Sequence, residues 1–166
     1  MTSSHQKSHE FYMSQALEQA EKAYNLQEVP IGAVLVDTSG NIIATGYNQV
    51  EHHHSQTAHA ELITLQAASR HINDWRLSGC SLYVTLEPCL MCFGALRLSR
   101  IKAVYFGASS PLFGFHLDSN AFLSLYNKDT FFIRGGIQEQ MCKNILKKFF
   151  DKKRKEKHND KQKKES

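Results

Sequence analysis

The sequence predicts an α/β fold, a three-layer sandwich in which one sheet is covered by helices on both sides. Segments of strand length alternate with segments whose apolar residues recur at helical spacing, and that alternation is the signature of such layers. Hydrophobic residues make up 42% of the 166, including ten Phe and six Tyr, enough for the core of one domain. A size of 166 residues argues against a second domain.

The elements follow in order. Ser8 can cap a helix with Glu10 in its first turn. Met13, Leu17, Ala20 and Tyr24, with Ala16 and Ala23 beside them, extend that amphipathic helix to near Gln27. Pro30 breaks it, and Ile31 to Val36 reads as a buried strand. Ser39-Gly40-Asn41 is a turn leading into a second strand, Ile42 to Tyr47, so the two form a hairpin. A polar stretch from Asn48 to Thr57 precedes a helix from about Ala58 to His71, with Leu62, Leu65 and Ala68 or Ser69 on one buried stripe. Ser81 to Leu86 is a strand running straight into Pro88, which suits the first turn of a helix from Cys89 to Leu98. Ala103 to Phe106 is the next strand, and Gly107 to Asp118 a loop. Ser119 to Tyr126 reads as a short helix, Phe131 to Ile133 as a short strand, and Ile137 to about Arg154 as a final helix.

The net charge of +4 hides a partition. From Lys147 to Ser166 there are ten basic and four acidic residues, while the rest of the chain holds ten basic and twelve acidic. The domain is expected over residues 1–150, with a basic tail over 151–166. That tail reads either as a surface attracted to a polyanion such as RNA or as a solvated helix end. No stretch approaches the roughly 18 apolar residues of a membrane helix, and the polar start lacks the apolar segment of a secretory signal. A cytoplasmic location, with no membrane partner, is the expectation.

The chemistry concentrates in two motifs. One is His59-Ala60-Glu61 and the other Pro88-Cys89-Leu90-Met91-Cys92. One imidazole and two thiolates can hold zinc with one tetrahedral position open, the pattern of a catalytic rather than a structural site. Cys89 and Cys92, three residues apart, share a helix face. A helix start favours thiolate over thiol. Glu61 stays outside the ligand set and is free to move protons between water, a ring nitrogen and a leaving amine. His-x-Glu with Pro-Cys-x-x-Cys is the established signature of zinc-dependent nucleobase deaminases, and these residues match it. Either half alone carries little, since a lone Cys-x-x-Cys serves structural zinc, redox chemistry or packing equally well. Cys80 and Cys142 read as small buried hydrophobes. The run His52-His53-His54 reads as a solvated loop, with substrate contact by one of them as the lesser alternative. Asn48 can both donate to and accept from a base edge, or simply end a strand at a turn.

The chain resembles the bacterial tRNA-specific adenosine deaminases, within the cytidine deaminase-like superfamily, from about Ser8 to Arg154. The resemblance rests on Glu28-Val29-Pro30-Ile31-Gly32-Ala33-Val34-Leu35-Val36, Gly46-Tyr47-Asn48, Thr57-Ala58-His59-Ala60-Glu61 and Leu82-Tyr83-Val84-Thr85-Leu86-Glu87-Pro88-Cys89-Leu90-Met91-Cys92. Ser99-Arg100-Ile101 and Cys142 to Phe150 add to it. It implies a cytidine deaminase-like fold with a mixed sheet of about five strands. It implies hydrolytic conversion of adenosine to inosine at the wobble position of a tRNA anticodon. His59, Cys89 and Cys92 would bind one zinc per subunit, Glu61 would shuttle protons, and Asn48 and Ala60 would contact the flipped base. The family is homodimeric and takes the tRNA anticodon loop as its partner.

Two stretches depart from the family. Ser55-Gln56 replaces an Asp-Pro pair, and Ser109 to Asp118 carries bulky apolar groups where small residues and a Lys are usual. Phe113, Phe115 and His116 then either offer stacking surfaces to splayed bases or pack against the core or a dimer partner. Two other functions share the zinc motif. One is deamination of a free nucleobase or nucleotide of guanine, cytosine or dCMP type. The other is a non-catalytic zinc-stabilised RNA-binding module, which needs a fourth ligand such as Cys80 or a loop histidine.

Overall fold

A computed structural model describes residues 7–115 and 131–164, the last four of these through the backbone alone. The elements run α1 (His9–Asn25), β1 (Gly32–Val36), β2 (Ile42–Tyr47), α2 (Val50–His53), α3 (Ala60–Ile72), β3 (Ser81–Leu86), α4 (Leu90–Leu98), β4 (Ala103–Ala108), β5 (Phe132–Arg134) and α5 (Glu139–Lys164). The five strands form one mixed sheet in the order β2-β1-β3-β4-β5. β1 pairs antiparallel with β2 and β3, whereas β3, β4 and β5 are parallel. The expected five-stranded α/β/α sandwich is therefore what forms.

Alternation along the central strands builds the two cores. Ala33 and Leu35 of β1, with Leu82 and Val84 of β3, face a cluster that includes Leu65 of α3 and Leu96 of α4. Val34, Val36 and Tyr83 face the other way, onto Met13 and Ala16 of α1 and Cys142 of α5. Successive side chains of a strand point to opposite faces, so a strand covered on both sides must be apolar throughout. Each fully buried Leu contributes about 1.5–3 kcal/mol relative to exposure. Cys80 and Cys142 sit inside these clusters as small apolar groups, as expected of them.

Two glycines let helices approach the sheet. A Cβ on Gly32 would stand 2.1 Å from the carbonyl oxygen of Ala16 in α1. One on Gly46 would stand 2.5 Å from Thr64 Oγ1 and 2.8 Å from the Ala60 carbonyl oxygen. The second contact fixes how closely the first turn of α3 lies on β2.

Local departures from expectation have local causes. The polar stretch after Asn48 contains the one-turn helix α2, whose N–H groups find an acceptor far away in sequence, Glu28. β4 runs on to Ala108 because Ala108 still pairs with Leu86. β5 is shifted by one residue from Phe131–Ile133. The last helix continues past Arg154 to Lys164, supported by ion pairs one turn apart such as Lys152–Glu156 and Arg154–Asp151. The helix expected over Ser119 to Tyr126 lies outside the described residues.

Candidate metal centre and active site

His59 and Cys89 occupy equivalent positions on two helices. Each is the residue just before the first turn, His59 of α3 and Cys89 of α4, with extended backbone angles (φ −74°, ψ 149° and φ −74°, ψ 169°). A side chain at this position ordinarily accepts from its own helix's free N–H groups, which suits Ser, Thr, Asp or Asn. Neither His59 nor Cys89 does so. Both side chains are directed instead to a common point, joined there by buried Cys92 from the first turn of α4.

The distances fit zinc. His59 Nδ1 is 3.7 Å from Cys89 Sγ and 3.4 Å from Cys92 Sγ, and the three donor atoms lie within 4.8 Å of one another. Tetrahedral zinc, bonded at about 2.3 Å to sulfur and about 2.0 Å to nitrogen, sets a sulfur and a nitrogen ligand roughly 3.6 Å apart. Among the described residues no fourth His, Cys, Asp or Glu joins the cluster. Cys80 stands at the opposite end of β3, roughly 20 Å of strand away, and the three loop histidines are exposed. The donor set is thus that of an open, catalytic site, and the fourth protein ligand of a structural site has no candidate among the described residues.

Electrostatics at the cluster point the same way. Hydrogen bonding with Cys92, and then with His59, draws the Cys89 thiol down to about 4. The contact with Cys89, together with burial and the nearby Glu61 carboxyl, pushes Cys92 up. Two neighbouring sulfurs that resist ionising together are brought to the dithiolate by a divalent cation. His59 is raised, chiefly by its hydrogen bond to Cys89. Glu61 is 4% exposed and hydrogen-bonds Cys92, and burial pushes its carboxyl above the ordinary range. A carboxyl that holds its proton more readily than a surface glutamate suits a proton shuttle.

Asn48 follows the last residue of β2, on the segment that pairs with the start of the His59 helix. Its N–H donates to the Ile31 carbonyl, and the next residue, Gln49, donates to the carbonyl of Ala58, immediately before His59. Asn48 is buried, with Nδ2 donating to Glu28 Oε2 at 3.2 Å. The same carboxylate accepts from the N–H of Glu51 at 3.2 Å and of His52 at 2.7 Å. Glu28 therefore caps α2 and sets the orientation of the Asn48 amide in one act. Ala60 is fully buried at the head of α3, which leaves its backbone as the part able to meet a ligand. Glu28 falls within the family-like run of the sequence, yet the motifs give it no role. The signal available for it is a carboxylate leading directly into the apolar strand run, where burial without partners costs too much to be tolerated.

The departing loop is anchored to the same centre. Glu87 Oε2 accepts from the Ser110 N–H at 2.9 Å, Gly114 bridges Cys89, and Phe115 N–H donates to the Pro88 carbonyl at 3.0 Å. A Cβ on Gly114 would meet Glu87 Oε2 and the Ser110 carbonyl oxygen, both at 2.6 Å. Phe115 stacks on Phe93 of α4, with ring centroids 4.8 Å apart and an interplanar angle of 18°, so it belongs to the packing. Leu112 and Phe113 are 75% and 73% exposed. His116 lies outside the described residues.

A family model for the cytidine and deoxycytidylate deaminase zinc-binding region matches residues 6–108. A tRNA-specific adenosine deaminase of Bacillus subtilis is 42% identical over 152 residues, covering 89% of this chain and 92% of that protein. One from Haemophilus influenzae is 44% identical, covering 87% and 84%. Among solved structures, one from work on A-to-I editing by tRNA:A34 deaminases at the wobble position is 35% identical with a TM-score of 0.74, over 82% of this chain and 99% of that one. A guanine deaminase of Bacillus subtilis is 37% identical with a TM-score of 0.59, over 62% and 66%.

Proposed function

The chain belongs to the zinc-binding cytidine and deoxycytidylate deaminase family, and within it we propose that it converts adenosine to inosine at the wobble position of a tRNA anticodon. The observation that carries this reading is similarity running nearly end to end: 42–44% identity over most of this chain and most of two curated tRNA-specific adenosine deaminases. Likeness to the guanine deaminase spans a smaller share of both chains.

His59, Cys89 and Cys92 would hold the ion, and zinc, when bound, supplies an activated water for attack on the adenine ring. Glu61 takes a proton from the water and delivers it to the ring nitrogen N1. A bond from oxygen to C6 forms. The same carboxyl passes the second proton to the amine, the C6–N bond breaks, and ammonia leaves with inosine as the other product. The two transfers are within reach of one side chain because Glu61 sits in the first turn of α3, against Cys92. Asn48, its amide held by Glu28, meets the base edge, and Ala60 contributes its backbone N–H. A base already unpaired in a loop is extruded at less cost than one in a duplex, which suits an anticodon loop.

The catalytic unit spans residues 1–150 with the basic tail following. The working form is a homodimer in the cytoplasm, where its tRNA substrate is found. No helix among the described residues is long and apolar enough to cross a membrane.

The test is direct. Zinc-loaded protein is incubated with unmodified tRNA, and wobble inosine is measured beside ammonia released from free guanine and cytosine. Inosine without base deamination is expected. Ammonia from guanine or cytosine, with the tRNA adenosine intact, would overturn the reading in favour of a free-base deaminase.

A further inference from the structure

We infer that Glu87 is a positioning residue for the zinc cysteines, acting through the loop from Ser109 to Phe115 that its carboxylate pins across them. The inference rests on the reading of His59, Cys89 and Cys92 as zinc ligands and adds to it what holds the two sulfurs in place.

The backbone explains why a carboxylate is needed at this point. β3 and β4 are parallel, and their pairing ends at Leu86 and Ala108. The Glu87 N–H then donates to the Ala108 carbonyl at 2.8 Å. In a regular parallel ladder the next bond would run from the Ser110 N–H to the Glu87 carbonyl. Here that N–H goes instead to Glu87 Oε2. Pro88 has no N–H with which to carry the ladder further. The Glu87 side chain therefore supplies the last rung, and the chain beyond Ser110 turns back over the start of α4. Glu87 and Ser110 are both buried, so a donor that loses this partner is not compensated by bulk water.

Three contacts carry the anchor to the cysteines. The Gly114 N–H closes a turn onto the Ser110 carbonyl at 3.1 Å, and Gly114 forms an antiparallel bridge with Cys89. The Phe115 N–H donates to the carbonyl of Pro88, just before Cys89. The Phe115 ring stacks on Phe93, the residue after Cys92, and meets Phe106 of β4 edge-on. Cys89 is thus restrained through its own backbone and Cys92 through its neighbour's ring, both by one loop. Cys89 makes no side-chain cap to α4, so its extended backbone (φ −74°, ψ 169°) gets no help from its own thiol. Groups that orient metal ligands typically account for about 10- to 100-fold in metal affinity.

The experiment uses the full chain with Glu87→Ala, Glu87→Gln, Gly114→Ala, and Glu87→Ala combined with Gly114→Ala. Zinc affinity is measured by competition with a chromophoric chelator, and melting midpoints are taken with and without zinc. Affinity is expected to fall about 10- to 100-fold in Glu87→Ala, and Glu87→Gln, with one acceptor oxygen for the Ser110 N–H, to recover most of it. Gly114→Ala, whose methyl displaces the carboxylate, is expected to weaken zinc by a similar factor. The combined variant should be little weaker than either alone, because both substitutions break one anchor. A role in folding alone lowers both melting midpoints and leaves zinc affinity unchanged, and that result would overturn the inference. Factors that multiply in the combined variant would overturn it too. If Glu87→Ala does not fold, unchanged affinity in Gly114→Ala decides against the inference on its own. Zinc bound by the unsubstituted chain and lost in Cys89→Ser separates these failures from failure of the underlying reading, because without it both fall.

Discussion

Glu61 is the residue whose environment does most to set its chemistry. Desolvation raises its carboxyl, so it exchanges a proton closer to neutrality than a surface glutamate does. Glu61→Gln keeps the shape and removes that exchange. The expected result is full zinc occupancy with inosine formation slowed about 10²- to 10⁴-fold, read by metal analysis and single-turnover kinetics. A variant retaining more than roughly a tenth of the rate would remove Glu61 from the proton path. The identity of this residue is legible from His-x-Glu spacing, as are Cys89 and Cys92 from theirs. Its burial is not, because two residues of spacing say nothing about what packs above them.

At the scale of elements, the helix starts are what turn a motif into a site. His59 and Cys89 stand where a capping residue belongs and leave the capping undone, which frees both for a shared ion. α2 is a further case. Its four residues are too few to persist on their own, and the Glu28 carboxylate supplies the acceptor its N–H groups lack. Glu28→Ala leaves those donors and the Asn48 amide without that partner, a cost of about 1–3 kcal/mol. The variant should bind zinc normally, melt at a lower temperature, and show a KM for tRNA raised by about tenfold. Glu28→Gln, with one acceptor oxygen retained, should recover much of the KM. Unchanged KM in Glu28→Ala would show that the Asn48 amide needs no such support. Strand and helix identities are readable from period and from Pro30 and Pro88, whereas α2 reads as loop because its acceptor lies more than twenty residues upstream.

For the whole molecule, groups buried on both faces of the sheet weaken the fold at alkaline pH. Burial pushes the Cys142 thiol up to about 12, and it also raises Cys80 and Tyr83. In each case the folded state favours the protonated form. The associated stability is complete below the unfolded-state values and is lost as pH climbs through the folded ones. For Cys142 that window opens near 9 and closes near 12. The unfolding midpoint of the zinc-loaded protein should hold steady from about pH 7 to 9 and fall above it, and the fall should be shallower in Cys142→Ala. An equal fall in both proteins would place the alkaline loss elsewhere.

By itself the sequence determined the donor types, the three-residue spacing that puts Cys89 and Cys92 on one helix face, and the alternation that makes a covered sheet. These are properties of neighbouring residues and follow from helix and strand periods. Only the tertiary structure decided that His59 meets the two sulfurs from another helix, with no fourth ligand beside them among the described residues. It also decided that Phe115 of the departing loop packs on Phe93 and that Glu28 holds Asn48. Each depends on strand register and on how closely helices settle on the sheet, as at Gly46 under α3, and those are fixed by packing between residues far apart in the chain.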